Sequence, residues 1–341
     1  MNWTFLPALE TFDKIYEKWD ALNQAQHNHI LLDSRFVSLL LRHFGSSEVL
    51  LGISNDPQKP GMVLVERRSP GVWETFQPSQ APMGLLLFGF MDENGDSLND
   101  IVRSLPGYAL QLSVLHQDPD YSSIQAVDGC SRLEKLDYIS TARMHLAGSF
   151  QEYWGKREPR LRKNNGRLRR RMEEKGLRLE FKVLKGAAEV ADGMRDYGRL
   201  ELKGWKAHER TAVTPDNVQG HFYRELLERF CARGEGVIYQ LHIDGVVVAS
   251  DLCLVREGML VLLKTAYDEE WSVYSPSFLL REDIVRALYA EGKIRTYEFY
   301  GPLMDYQLRW TEQIRTLYHL TYFRHGWLRR LKGLVKRVKR T

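Results

Sequence analysis

Apolar positions along this chain recur at two periods, and the alternation between them is clearest in the second half. LRLEFKVL (177–184) has the pattern of a half-buried strand. AAEVADGMRDYGRLELKGW (187–205) and NVQGHFYRELLERFCARG (217–234) space their apolar residues as helices do. Three strand-length runs follow: VIYQLHI (237–243), VVVASDLCLV (246–255) and MLVLLKTAY (259–267). Asp244-Gly245 and Glu257-Gly258 separate them, and Asp-Gly is a strong hairpin signal because it tolerates positive φ at both central positions. A helix is predicted over 276–291, ended by Gly292 in the place that suits a left-handed cap. RTYEFYG (295–301) reads as a strand, 306–310 as a short helix, and IRTLYHLTYF (314–323) as a final strand.

The first half repeats this order loosely. Helical segments at 13–24 and 34–45 precede strand-like EVLLGI (48–53), GMVLVER (61–67) and VWETFQP (72–78). A helix over 94–105 and the strand YALQLSVL (108–115) come next. Two helices, a meander, a helix and a strand in each half predict a duplicated α/β unit, a mixed sheet with flanking helices. The boundary is expected at 148/149, where SFQEYWGKREPRLRKNNGRLRRRMEEKG opens a basic helical connection. The expected division is therefore 1–148, 149–323 and a basic C-terminal helix at 324–341.

Composition narrows the class. With 341 residues, 43% hydrophobic and 27% charged, the chain suits two folded domains. Its apolar runs, such as GLLLFGF (84–90), are strand-sized, and the N-terminus lacks the basic-then-apolar pattern of an export signal. A cytoplasmic protein is expected. Cys130, Cys231 and Cys253 fit neither a disulfide framework nor a zinc site. DENGDSLND (92–100) misplaces its glycine for a calcium loop and puts Arg103 where a glutamate is needed. No metal is expected.

The net charge of +4 hides an asymmetry. Seven Arg or Lys and no acid lie in 327–341, and ten Arg or Lys against three Glu lie in 156–175. Without the tail the rest is net negative, so no specific DNA partner is expected. In the tail, Trp327, Leu328, Leu331, Leu334, Val335 and Val338 recur at helical spacing against the cations. That is the pattern of an interfacial helix on an anionic membrane surface, and equally of a stripe docking on the protein body.

The start of the 276–291 helix carries the sharpest chemical question. Tyr274-Ser275-Pro276-Ser277 opens it, and no acid appears before Glu282. Ser275 suits an N-cap and Pro276 suits N1, with Phe278, Leu280, Ile284, Val285 and Leu288 giving an ordinary core face. The other reading is that the bare N–H groups of this turn receive a phosphate or pyrophosphate.

TAYDEEWSVYSPSFLL (265–280) and YEFYGPLMDYQLRW (297–310) resemble the GNAT acetyltransferase superfamily, in particular its bacterial branch related to CelD-type cellulose-biosynthesis proteins and the Fem peptidyltransferases. The specific likeness covers about 150–323. It implies tandem GNAT-like domains, the first degenerate, with acetyl-CoA or another acyl-CoA held by Tyr274, Ser275, Pro276, Ser277, Phe278 and Leu279. It places a carbonyl-polarising backbone near Leu263, Lys264 and Thr265, and makes Tyr306 the acid that protonates the leaving thiolate. Asp268 and Glu298 are candidate bases, each also readable as a structural carboxylate. Trp205 and His208 fall where the superfamily's first helices line the acceptor pocket. Two departures stand out: Ser277 replaces the usual glycine, and Gln307 replaces the lysine after the tyrosine.

The expected activity is N-acyl transfer from acyl-CoA to an amine-bearing small molecule or glycan, such as an amino sugar in envelope or exopolysaccharide synthesis. The alternatives are an aminoacyl-tRNA-dependent transferase like the Fem enzymes and a catalytically silent, membrane-associated assembly factor.

Overall fold

A computed structural model describes residues 2–92, 95–124, 130–203 and 212–330. The chain divides into two compact units, one of Met1–Ser140 with Arg315–Thr341, the other of Thr141–Ile314.

In the first unit, β1 (Trp3–Pro7) is followed by α1 (Tyr16–Gln26) and α2 (Ser34–Phe44). Strands β2 (Leu50–Ser54), β3 (Gly61–Ser69) and β4 (Val72–Thr75) form an antiparallel meander, with β1 antiparallel to β2 and β5 (Leu86–Phe88) on β3. After α3 (Asp96–Ser104), β6 (Gln111–Gln117) runs parallel to β4. Strand β7 (Leu133–His145) starts in this unit and supplies its last residues to the next.

The second unit repeats the plan. Helices α4 (Phe150–Gly155) and α5 (Pro159–Glu174) lead to β8 (Leu179–Leu184), then α6 (Val190–Lys203) and α7 (Val218–Cys231). β9 (Gly236–Ile243), β10 (Val246–Arg256) and β11 (Met259–Tyr267) make the antiparallel meander, with β8 antiparallel to β9. Both tight turns have positive φ at both central residues, 50° and 81° at Asp244-Gly245 and 46° and 82° at Glu257-Gly258. That backbone matches the twist of the strands it joins. α8 (Pro276–Glu291) follows β11, ending at Gly292 with φ 65°. β12 (Thr296–Glu298) is parallel to β11, α9 (Asp305–Leu308) is one turn, and β13 (Gln313–Phe323) is last.

Each unit is thus closed by a strand from the other half of the sequence. The end of β7 pairs antiparallel with β12 from Arg143↔Glu298 to His145↔Thr296. β13 pairs antiparallel with β6 from Tyr318↔Gln117 to Phe323↔Gln111. This differs from the expected division at 148/149, which kept 314–323 with the second half. The reason is that a strand belongs to whichever ladder satisfies its backbone groups, and β13 finds that ladder on β6.

The second unit's core lies beneath α8. Leu279, Leu280, Ile284, Val285 and Leu288 are buried in one cluster with Leu241, Leu260, Leu262 and Tyr297 of the sheet. Phe278, assigned to this face from spacing, is only half-buried. Among the described residues, no helix is long and apolar enough to cross a membrane.

Candidate functional site

β11 and β12 are parallel and pair over only three positions, Met259↔Thr296, Leu260↔Tyr297 and Val261↔Glu298. Beyond them β11 runs on to Tyr267 without β12 beside it. A register shift opposite Leu252/Cys253 leaves Leu263 as an extra residue, a β-bulge that bends the strand as it leaves its neighbour. The resulting opening is a cavity of about 580 Å³. Thr265, Ala266 and Tyr267 line it from β11, Ser277, Phe278 and Arg281 from α8, and Leu200 and Glu201 from α6. Met304, Tyr306 and Trp310 close it from the segment after β12.

The N-terminus of α8 is built unusually. Ser275 has φ 48° and ψ 55°, the left-handed region, and its side chain makes no capping bond. For a non-glycine residue that conformation costs on the order of 1 kcal/mol. The Ser275 carbonyl accepts from the N–H groups of Phe278 at 3.0 Å and Leu279 at 3.2 Å, and Pro276 has no N–H. Among the described residues no partner engages the Ser277 N–H. Ser277 itself lines the cavity. The turn has no acid. Beside it, the buried Tyr274 ring has the Arg171 guanidinium carbon at 5.6 Å and Lys175 Nζ at 5.9 Å, both on the basic α5 segment. A free N–H, a hydroxyl and two cations suit an anionic phosphate.

Under the cavity, Arg281 Nη2 lies 3.0 Å from Asp251 Oδ2 of β10, and both side chains are buried. Arg281 Nη1 also donates to the Tyr297 hydroxyl. Burial pushes the Asp251 carboxyl up, and Arg281 holds back part of that rise. Burial likewise raises the Tyr306 hydroxyl above the usual phenol range, again opposed by Arg281. Tyr306 therefore keeps its proton at neutral pH and is a donor at the cavity wall.

Next to it, the Gln307 side chain accepts from the Met304 N–H at 2.7 Å and is buried. A lysine could not accept that bond, so the departure at this position supports the loop that presents Tyr306. Trp310 stacks between Trp154 and Phe278, with ring centroids at 5.8 Å and 6.1 Å, and forms a rigid apolar wall.

Thr265, Ser277, Phe278 and Tyr306 share this cavity. Ser275 and Pro276 shape its helix start. Leu279 is in the core with no exposure, and the Lys264 ammonium sits 5.6 Å from the Tyr223 ring. The two candidate bases are not among the lining residues. Asp268 is buried, accepts from the Glu270 N–H at 3.1 Å as the cap of the turn Glu269–Tyr274, and pairs with Lys203 at 2.9 Å. Glu298 is fully buried with the Arg143 guanidinium at 3.9 Å. Trp205 and His208 lie outside the described residues.

Two acids on the wall, Glu201 and the exposed Glu269, were not singled out from the sequence. Glu201, 2% exposed, accepts from the Tyr197 hydroxyl at 2.6 Å and from the Val213 N–H at 3.1 Å. Its only sequence signal is an acid on the inward side of an amphipathic helix.

The corresponding opening of the first unit is filled. β4 and β6 also pair over three positions, from Val72↔Gln111 to Glu74↔Ser113. Past them the Leu115 N–H donates to Thr75 Oγ1 and the Gly84 N–H donates to the His116 carbonyl, both at 3.0 Å. A Cβ on Gly84 would lie 2.1 Å from the Leu115 oxygen, so chain is packed directly against β6 where the second unit has a cavity.

Residues 159–308 match the family described as acetyltransferase (GNAT) domain, the segment that carries the splayed strands and the cavity. A search of curated proteins finds no sequence match. Solved structures similar in fold include three that cover nearly the whole chain. One is the C-terminal domain of a putative lysylphosphatidylglycerol synthetase from Agrobacterium fabrum, with TM-score 0.56, 13% identity, and 95% of each chain covered. FemX gives TM-score 0.56 at 10% identity, covering 93% of this chain and 98% of that one. A conserved protein of unknown function from Bacteroides thetaiotaomicron gives TM-score 0.53 at 8% identity, covering 94% and 98%.

Proposed function

Since residues 159–308 belong to the GNAT acetyltransferase superfamily, we propose that the chain transfers an acyl group from acyl-CoA to an amine. The observation that carries this reading is one cavity holding the acid-free start of α8, the bulged end of β11 and the Tyr306 hydroxyl. Ser277 and the first turn of α8 would hold the pyrophosphate, and Arg171 and Lys175 would add positive charge beside it. The cofactor supplies an activated thioester carbonyl. The chain aligns the acceptor with it, excludes water with Phe278 and Trp310, and keeps a proton at Tyr306 Oη for the departing sulfur. The acceptor we propose is an amino sugar or similar amine in envelope or exopolysaccharide synthesis.

A second reading, an aminoacyl-tRNA donor, is favoured by the exposed cations of α5, where Arg160, Lys163, Arg167 and Arg170 follow one another at helical spacing. The deciding measurement is thermal stabilisation by coenzyme A and acetyl-CoA against a dephosphorylated adenosine control. At about one hundred times the dissociation constant, acetyl-CoA should stabilise by about 2.7 kcal/mol. Stabilisation by charged tRNA and by neither coenzyme would favour the second reading instead.

A further inference from the structure

We propose that β8 is a dimerisation edge, pairing antiparallel with β8 of a second copy of this chain. β8 contributes no residue to the cavity at Tyr306, so this pairing does not depend on the acyl-transfer reading. β8 lies last in the order of strands and pairs with β9 alone. The Arg178 carbonyl accepts from the Asp244 N–H at 2.9 Å, and the Arg178 N–H donates to Asp244 Oδ1 at 2.8 Å. Arg178 thus turns its backbone groups toward β9, and so do Glu180, Lys182 and Leu184, opposite His242, Gln240 and Ile238. Leu179, Phe181 and Val183 turn theirs away from the sheet, and among the described residues no hydrogen-bond partner engages them. Such a row of unpaired groups is a template for another strand.

The side chains of that edge are self-complementary. Leu179, Phe181 and Val183 form one row, half-buried against the core that includes α8. A cavity of about 400 Å³ borders the row, lined by Leu179 and Phe181 of β8 and by Ala287 and Ala290 of α8. Glu180 and Lys182 stand on the other face, 3.7 Å apart, with 40% and 42% of their side chains exposed. A partner strand would cover the apolar row with its own and give each of these two charges an opposite charge on the other chain.

Hydrogen-bond phase and charge together select one register. In an antiparallel pair the free N–H and C=O groups meet only where outward-turned residues face each other. Placing Phe181 opposite the partner's Phe181 does this, with Leu179 opposite the partner's Val183 and Val183 opposite the partner's Leu179. The two-fold axis then sets Glu180 opposite the partner's Lys182 and Lys182 opposite the partner's Glu180. These are non-hydrogen-bonded positions, where side chains approach most closely. Sliding by two residues keeps the phase but loses the match. One direction puts Glu180 opposite the partner's Glu180 and Arg178 opposite the partner's Lys182; the other puts Lys182 opposite the partner's Lys182. Like charges directly opposite are unfavourable. A strand of six residues makes a small interface, so the dimer is a weak one, with a dissociation constant on the order of 10 μM.

Sedimentation equilibrium of the full chain across the micromolar range should show a monomer–dimer equilibrium that salt weakens. Glu180→Lys and Lys182→Glu each put like charges opposite one another on both sides of the axis, and each should weaken the dimer about tenfold or more. Both substitutions in one chain exchange the charges and should restore the wild-type constant. Mixing the two single variants should give a heterodimer, which also shows that each variant is folded. A chain that stays monomeric, or single variants that dimerise as tightly as the wild type, overturn the proposal. Failure of the double variant or of the mixture to restore pairing overturns it too, because the dimer would then use another register or another face.

Discussion

Arg281 of α8 reaches across the second unit's core to Asp251 of β10, 3.0 Å away, with 3% and 1% of the two residues exposed. Burying two charges costs more than an exposed pair returns, so this contact is a poor source of net stability. Its effect is to lock the first turns of α8 to the sheet beside the cavity. Arg281→Met should leave Asp251 buried without its cation and cost about 3–5 kcal/mol, measured by urea unfolding. Adding Asp251→Leu should recover most of that loss. A single variant as stable as the wild type would show that the pair does not hold the helix.

His116 gives a pH signature for the first unit. Burial lowers its pKa from 6.5 to about 4, and the neighbouring His319 adds to the drop. The ring stacks on Tyr138 at 4.4 Å, and the His116 backbone N–H donates to His319 Nδ1 at 3.0 Å. Because the folded value is depressed, the unfolded chain binds more protons between these two pH values. The stability that neutral His116 provides is therefore full above pH 6.5 and is lost as pH falls toward 4. The drop corresponds to about 3 kcal/mol. His116→Gln should flatten that part of the pH–stability curve, and an unchanged slope would refute the assignment.

Ser277→Asp would put a carboxylate at the helix start where an anionic phosphate is proposed. Acids favour a helix N-terminus, so folding should change by no more than about 1 kcal/mol. Coenzyme A affinity should fall by about tenfold or more through repulsion at short range. Calorimetric titration of both proteins decides it, and equal affinities would remove the pyrophosphate from this turn.

Much of this architecture is legible in the amino-acid sequence. The meander from 236 to 267 and the helix at 276–291 were written in apolar period, Asp-Gly turns and a terminal glycine, all local signals. The exchange of β7 and β13 was not legible, because pairing is a long-range choice. β7 itself, LEKLDYISTARMH, lacks clean alternation, and Leu136 and Tyr138 are 51% and 45% exposed. The site divided along the same line. Ser277 and Tyr306 stand in a motif, whereas Glu201 is set apart from other acids only by burial. Ser275 was read as an N-cap, and a propensity table does not foresee its left-handed backbone. Asp268 remained open between base and structural carboxylate because its partner Lys203 lies far away in sequence.

We propose membrane association only through the C-terminal segment. Residues 326–330 start a helix and Trp327 is 57% exposed, while 331–341 lie outside the described residues. If the seven cations of 327–341 meet an anionic surface, each contributes up to about 1 kcal/mol, and salt weakens the effect. Full-length protein should float with vesicles containing acidic lipid at low salt, and protein ending at Gly326 should not. Equal flotation of both would assign the cations another task.

Tyr306 is the last point at which geometry and chemistry can be separated. Tyr306 lines the cavity, and burial keeps its hydroxyl protonated against the pull of Arg281. Tyr306→Phe keeps the ring and its packing and removes only the hydroxyl that carries the proton. General acids typically contribute about 10²–10⁴-fold. A thiolate is a good leaving group near neutral pH, so turnover should fall toward the lower end of that range. Acetyl-CoA affinity should stay within about twofold, since the loss is confined to the transition state. Thiol release with hexylamine as acceptor gives the rate, and calorimetry gives the affinity. If the rate is unchanged, the hydroxyl is packing alone; if rate and affinity fall together, it is a binding group and the sulfur takes its proton from water.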